Sequence, residues 1–140
     1  MSRRISREHA MKLLYQFQIR SDDIQEQIEC FLSESEENTT DIDKDYFLDV
    51  VYGVMNNLSD IDSLIKKHAK GWSVERMPKV DLAIMRLAIY ELLFRKDIPW
   101  NVSINEAVEL AKKYGGDQSK SFINGVLGKV SAQLHMVDGE

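Results

Sequence analysis

Apolar residues recur along this chain at intervals of three and four, and hardly anywhere at intervals of two. Ala10, Leu13, Leu14 and Phe17 stand at i, i+3, i+4 and i+7, the spacing that lines one face of a helix. The pattern returns in Ile24, Ile28, Phe31 and Leu32, behind Asp22 and Asp23, either of which can cap a helix. It returns again in Phe47, Val50, Val51, Val54 and Leu58. A fourth helix follows from Ile61, Leu64, Ile65 and His68, opened by a capping-box-like Ser59–Asp62 and closed at Gly71. The stretch "SESEENTTDID", Ser33 to Asp43, holds one apolar residue and predicts a mobile surface loop.

The segment from Val80 to Phe94 differs in kind. It is apolar nearly all round, interrupted by Asp81, Arg86 and Glu91, which predicts a central helix packed on several sides. Pro78 suits its first turn, where a missing N–H costs nothing. The three charges are five residues apart and cannot share a face, so each is expected at a helix end or paired with a neighbouring charge. After a break at Asp97–Ile98–Pro99, Ser103 to Glu106 reads as a capping box, with Ala107, Leu110 and Ala111 inward. Tyr114–Gly115–Gly116 closes this sixth helix, and Asp117 or Ser119 opens a seventh with Phe122, Ile123, Val126, Leu127, Val130 and Leu134. Residues 135–140 read as a loose tail. The pattern predicts an all-α protein: a compact bundle of about seven helices in a single domain, residues 1–140.

Composition narrows the setting. Hydrophobic residues make up 44 % and charged residues 29 %, the balance of a folded globular chain. Cys30 is the only cysteine, so no intrachain disulfide can form and a reducing, cytoplasmic setting is expected. No apolar run approaches the ~20 residues that span a bilayer, and Met1 to Ile5 lack the apolar stretch of a secretory signal. No membrane partner is expected.

Charge changes the picture more. The net charge is −5, yet residues 1–20 carry +4, from Arg3, Arg4, Arg7, Lys12 and Arg20 against Glu8. Residues 21–49 carry −10, and the remainder +1. A basic patch can therefore coexist with overall acidity, because charges farther apart than the ~8–10 Å Debye length are largely screened from each other. The plainer account of the arginines is a solvated helix end.

No catalytic constellation stands out. His9, His68 and His135 are far apart and accompany neither an HExxH nor a CxxC spacing, so no metal site is expected. The glycines at 115–116 are not followed by Lys-Ser/Thr, which excludes a P-loop, and Glu106 and Glu109 are explained by capping and exposure. Neither an enzyme nor a cofactor is expected; binding is. Arg3, Arg4 and Arg7 can engage phosphates or bases through forked hydrogen bonds, and Tyr15 lies two turns beyond Arg7 on a similar face. The second candidate is "YGGDQSKSF", a glycine turn into a helix start with Ser119, Lys120 and Ser121, where free N–H groups attract anions. Phe122 offers a face on which an unpaired base can stack, although periodicity alone favours a core position for it.

"RRISREHAMKLLYQ", "VDLAIMRLAIYEL", "IPWNVSINEAVELAKKYGG" and "SKSFINGVLGKV" occur here in the order seen in the NusB family of bacterial transcription antitermination factors, and the likeness runs from about Arg3 to Val130. The resemblance implies an all-helical fold of two three-helix bundles. It implies binding of single-stranded boxA RNA of ribosomal RNA transcripts together with the ribosomal protein NusE. Association with other Nus factors and RNA polymerase would be indirect, and a homodimer that buries the RNA surface is a further implication. The family's RNA-contacting positions fall on Arg3, Arg4, Arg7, Gln118, Ser119, Lys120 and Phe122, and its NusE-facing positions on Tyr15 and Asp81, the latter as an exposed acidic anchor. Two departures bear on RNA affinity: Ile5 interrupts what is often a longer arginine run, and Asp117-Gln118 carries one carboxylate where some relatives have two. The competing readings are a protein-interaction module with incidental arginines, and the NusB-like domain that precedes some ribosomal RNA cytosine methyltransferases. The end at Glu140 without a cofactor domain speaks against the latter.

Overall fold

Residues 2–34 and 41–137 are described by a computed structural model of the chain, and among them are seven α-helices and one 3-10 turn. Helix α1 spans Arg3–Ile19, α2 Ile24–Glu34, α3 Lys44–Asn56, α4 Leu58–His68, α5 Lys79–Phe94, α6 Trp100–Tyr114 and α7 Ser119–Val137; the 3-10 turn is Val74–Arg76. The only extended pairing among the described residues is a single bridge between Ser2 and Ile42.

The helix starts show which polar residues are used locally. Ser2 caps α1 by accepting from the Ile5 N–H at 3.1 Å, and Asp43 caps α3 by accepting from the Tyr46 N–H at 3.2 Å. Ser6 ties the two starts together: its hydroxyl donates to the Ser2 carbonyl and accepts from the Asp43 N–H, both at 2.7 Å. At the α1–α2 turn, the buried Gln27 amide donates to the carbonyls of Arg20 and Asp22.

Neither expected capping box forms. Helix α4 starts at Leu58, ahead of Ser59, and Asp62 is engaged instead by the Arg86 fork of α5 at 2.8 and 2.9 Å. Helix α6 starts at Trp100 behind Pro99, so Ser103 and Glu106 lie within it, donating to Glu91 and pairing with arginines of α1 respectively. A Ser-x-x-Glu string looks the same at a helix start as inside a helix; the tertiary partners decide. The expected tail is also shorter than supposed, because α7 continues to Val137. Residues 35–40 of the expected loop and 138–140 of the tail lie outside the described residues.

Helix α5 is central, as its composition predicts. Leu82, Ala83, Ile84, Met85, Leu87, Ala88 and Ile89 are all buried, and the helix packs against α1, α3, α4, α6 and α7. Helix α2 lies on α1 and α3 through the rings of His9, Phe31 and Phe47, with neighbouring centroids 5.1 Å apart. The elements thus fall into two groups of three, α1–α3 and α4, α6, α7, joined by α5.

Candidate functional site

The three N-terminal arginines have three different fates. Arg7 is buried, with its fork on Glu91 of α5: Nε donates to Oε2 at 2.8 Å and Nη2 to Oε1 at 3.1 Å. Glu91 also accepts from the Tyr46 hydroxyl and from Ser103 Oγ at 2.7 Å, so helices α1, α3, α5 and α6 meet on one carboxylate. Burial works against the Arg7 charge, but the hydrogen bond and charge of Glu91 outweigh it and hold the guanidinium above its ordinary pKa. Burial and the adjacent Glu91 push the Tyr46 hydroxyl up as well. The expectation that Arg7 meets RNA is therefore corrected: a charge taken out of water needs a partner inside the protein, and Arg7 has one.

Arg3 and Arg4 stay at the surface. Arg4 has a side chain 77 % exposed and grips Glu106 through Nε at 3.0 Å and Nη2 at 2.8 Å. Arg3 reaches Asp43 at 3.2 Å and lies over the Tyr46 ring, 4.5 Å from its centroid. Beside them Lys113 donates to Glu8 at 2.8 Å, and Lys112 to Glu109 at 3.0 Å. The Arg4–Glu106, Lys113–Glu8 and Lys112–Glu109 pairs line a groove between α1 and α6 of about 320 Å³.

The second region forms where α6 turns into α7. The Ser119 side chain is buried: its hydroxyl donates to Asp81 Oδ1 at 2.7 Å and accepts from the Gly116 N–H at 2.9 Å. A Cβ at Gly115 would lie 2.6 Å from Ser119 Cβ and 2.8 Å from the Ala111 carbonyl, so the turn closes this tightly only with glycine there. Two expectations change. Ser119 staples the turn rather than facing outward, and Asp81 is 3 % exposed rather than a surface anchor. Burial holds the Asp81 carboxyl above its usual range, with the Ser119 hydrogen bond partly offsetting the effect.

Both residues belong to a cleft of about 800 Å³, bounded by Trp72, Pro78 and Phe122 with Asp81 among its lining residues. Phe122 is half-buried, its ring 5.8 Å from that of Trp72 and tilted by 56°. It packs on the core, the position periodicity favours, and also borders the cleft. Gln118 and Lys120 are exposed at this corner. Tyr15 is half-buried against the core on α1. Trp72, half exposed, was missed in the sequence, although a lone tryptophan directly after a glycine at a helix exit was a usable signal.

Among the described residues no group of His, Cys, Asp and Glu could hold a metal ion, and no helix is long and apolar enough to cross a membrane. The fold and site thus define an all-α protein with an arginine-bearing helix end and an aromatic cleft. The NusB family model matches residues 4–132. The transcription antitermination protein NusB of Acetivibrio thermocellus is 55 % identical over 99 % of this chain and 95 % of its own length, and that of Ruminiclostridium cellulolyticum is 49 % identical over 94 % and 89 %. In three dimensions the chain resembles T. maritima NusB, with a TM-score of 0.81 and 38 % identity over 94 % of this chain and 92 % of that one. It also resembles a chain in a crystal structure of the antitermination factors NusB and NusE with double-stranded RNA, with a TM-score of 0.79 and 26 % identity over 94 % and 96 %. The chain belongs to the NusB family, a family of transcription antitermination proteins rather than of enzymes.

Proposed function

We propose that this protein is a single-domain, non-catalytic RNA-binding adaptor of the cytoplasm. It binds boxA RNA of ribosomal RNA transcripts together with the ribosomal protein NusE, and through that pair joins other Nus factors on RNA polymerase. The observation that carries this reading is the likeness, over 94 % of the chain, to the NusB of a complex containing NusE and RNA. The site supports it with two kinds of group. Arg4, Lys120 and Gln118 offer exposed donors for phosphates, and Arg3 a half-buried one. Phe122, with Trp72, offers ring faces for unpaired bases. Tyr15 remains a NusE-facing position on α1, while Arg7 and Ser119 act by holding the surface in shape. A homodimer formed through this surface would compete with RNA for it.

Titration of the protein with boxA RNA and with a scrambled RNA of equal length, alone and with NusE, tests the proposal. Tighter binding of boxA, strengthened by NusE, is expected. Equal binding of both RNAs in the presence of NusE would remove boxA recognition from the function.

A further inference from the structure

The surface cations of the groove between α1 and α6 are each matched with a carboxylate. Lys113 holds Glu8 and Lys112 holds Glu109, each through a single exposed contact. The Arg4–Glu106 pair is of another kind. The exposed Arg4 grips both oxygens of a carboxylate whose side chain is only 13 % exposed. Glu106 also has a second cation, because Arg7 Nη1 donates to its Oε1 at 3.4 Å. Arg7 cannot follow Arg4 outward, since its fork is committed to Glu91 in the interior. One arginine on Glu106 is free to leave and the other is not.

We propose that Glu106 is an internal stand-in for an RNA phosphate: it holds Arg4 in the unbound protein, competes with RNA for it, and releases it while Arg7 keeps Glu106 paired. The proposal rests on the RNA-binding reading above and adds to it a residue that opposes binding. A carboxylate and a phosphate offer a guanidinium the same thing, two oxygens for a forked pair of hydrogen bonds. Stripping a mostly covered carboxylate of its only partner is costly, and the Arg7 contact removes that cost. At 3.4 Å it is long for such a bond, so it has room to shorten once Arg4 has gone. A phosphate that reaches Arg4 therefore displaces Glu106 without stranding a charge. An RNA with no phosphate there finds the pair closed and its charges cancelled.

Titrating boxA RNA into the wild type, Glu106→Gln, Arg4→Ala and the double variant closes a cycle around the pair. Glutamine keeps the shape and an oxygen that accepts from Arg7, but not the charge that competes with phosphate. Glu106→Gln is expected to bind about threefold tighter at low salt, the scale of an exposed ion pair, and the gain should shrink as salt rises. In the Arg4→Ala background the same change should leave affinity nearly unaltered. An unchanged affinity in Glu106→Gln overturns the proposal. So does a gain of equal size in both backgrounds, which marks general repulsion between Glu106 and RNA. Weaker binding by a folded Glu106→Gln protein overturns it as well, and makes the carboxylate a support that aims Arg4 at RNA. A second measurement needs no change at Glu106. In proton–nitrogen NMR spectra the Arg4 Nε–H signal, identified by its loss in Arg4→Ala, should move when boxA RNA is added, while that of Arg7 stays in place. An unmoved Arg4 signal with RNA bound overturns the exchange and leaves RNA binding standing. Absence of RNA binding by the wild type, alone and with NusE, overturns both.

Discussion

Arg7 and Glu91 show how much one side chain can be asked to hold. The pair is buried, doubly hydrogen-bonded and completed by Tyr46 and Ser103. Removing one partner of such a pair leaves the other charged and dry, at a cost of about 3–5 kcal/mol. Arg7→Met should lower the urea midpoint accordingly. Glu91→Gln should cost less, because the amide oxygen still accepts a hydroxyl. An Arg7→Met protein with an unchanged midpoint but lost RNA binding would put the guanidinium back on the RNA surface. The sequence marks an arginine cluster but cannot sort its members into buried and surface ones. Arg3 and Arg7 are one turn apart on one face, and both guanidiniums reach the ring of Tyr46. What sends Arg7 inward is Glu91, 84 positions away, and no local pattern encodes that meeting. Asp81 was misread for the same reason: its partner Ser119 lies 38 positions on.

At the scale of elements the helical period carried nearly everything, since each helix buries one stripe and α5 buries most of its surface. The closeness of approach between helices was not legible. Gly53 of α3 faces Tyr90 of α5, and a Cβ built there would fall 2.2 Å from the ring. The ring has little room to retreat: its hydroxyl donates to Asp49 at 2.8 Å, and Phe94 packs against it at 5.1 Å. Burial and that Asp49 contact push the Tyr90 hydroxyl up to about 12, so it remains a donor at neutral pH. Gly53→Ala therefore has to separate α3 from α5 or break the Tyr90–Asp49 bond. Overpacking of this kind costs about 1–3 kcal/mol. Thermal melts of Gly53→Ala alone and combined with Tyr90→Phe would separate the two routes. If the hydrogen bond is what resists, the double variant loses less than the two single losses added together. A Gly53→Ala protein as stable as the parent would show that the helices are not held this close.

Across the whole molecule, the charge that first points to nucleic acid is mostly spoken for. The +4 of residues 1–20 includes Arg7, which is spent on Glu91, and Arg20, which pairs with Asp22. Arg3 and Arg4 are each met by a carboxylate, Asp43 and Glu106, at the surface. Surface pairs like these contribute little to stability, so a phosphate can replace the carboxylate at small cost. An interior pair cannot be exchanged in this way. The count of phosphates this surface neutralises should then follow exposure rather than composition: Arg3, Arg4 and Lys120. For single-stranded RNA, three contacts give a slope of log affinity against log salt of about −2. Arg4→Ala should flatten that slope by about 0.7 and weaken binding at low salt, with the melting point nearly unchanged. Lys120→Ala should do the same independently, because it sits at the start of α7 while Arg4 belongs to the opposite end of the sequence. A wild-type slope near zero would leave stacking in the Trp72–Phe122 cleft as the main source of affinity. A slope much steeper than −2 would mean that the Glu8–Lys113 and Glu109–Lys112 pairs also open to admit RNA, extending the interface along α6.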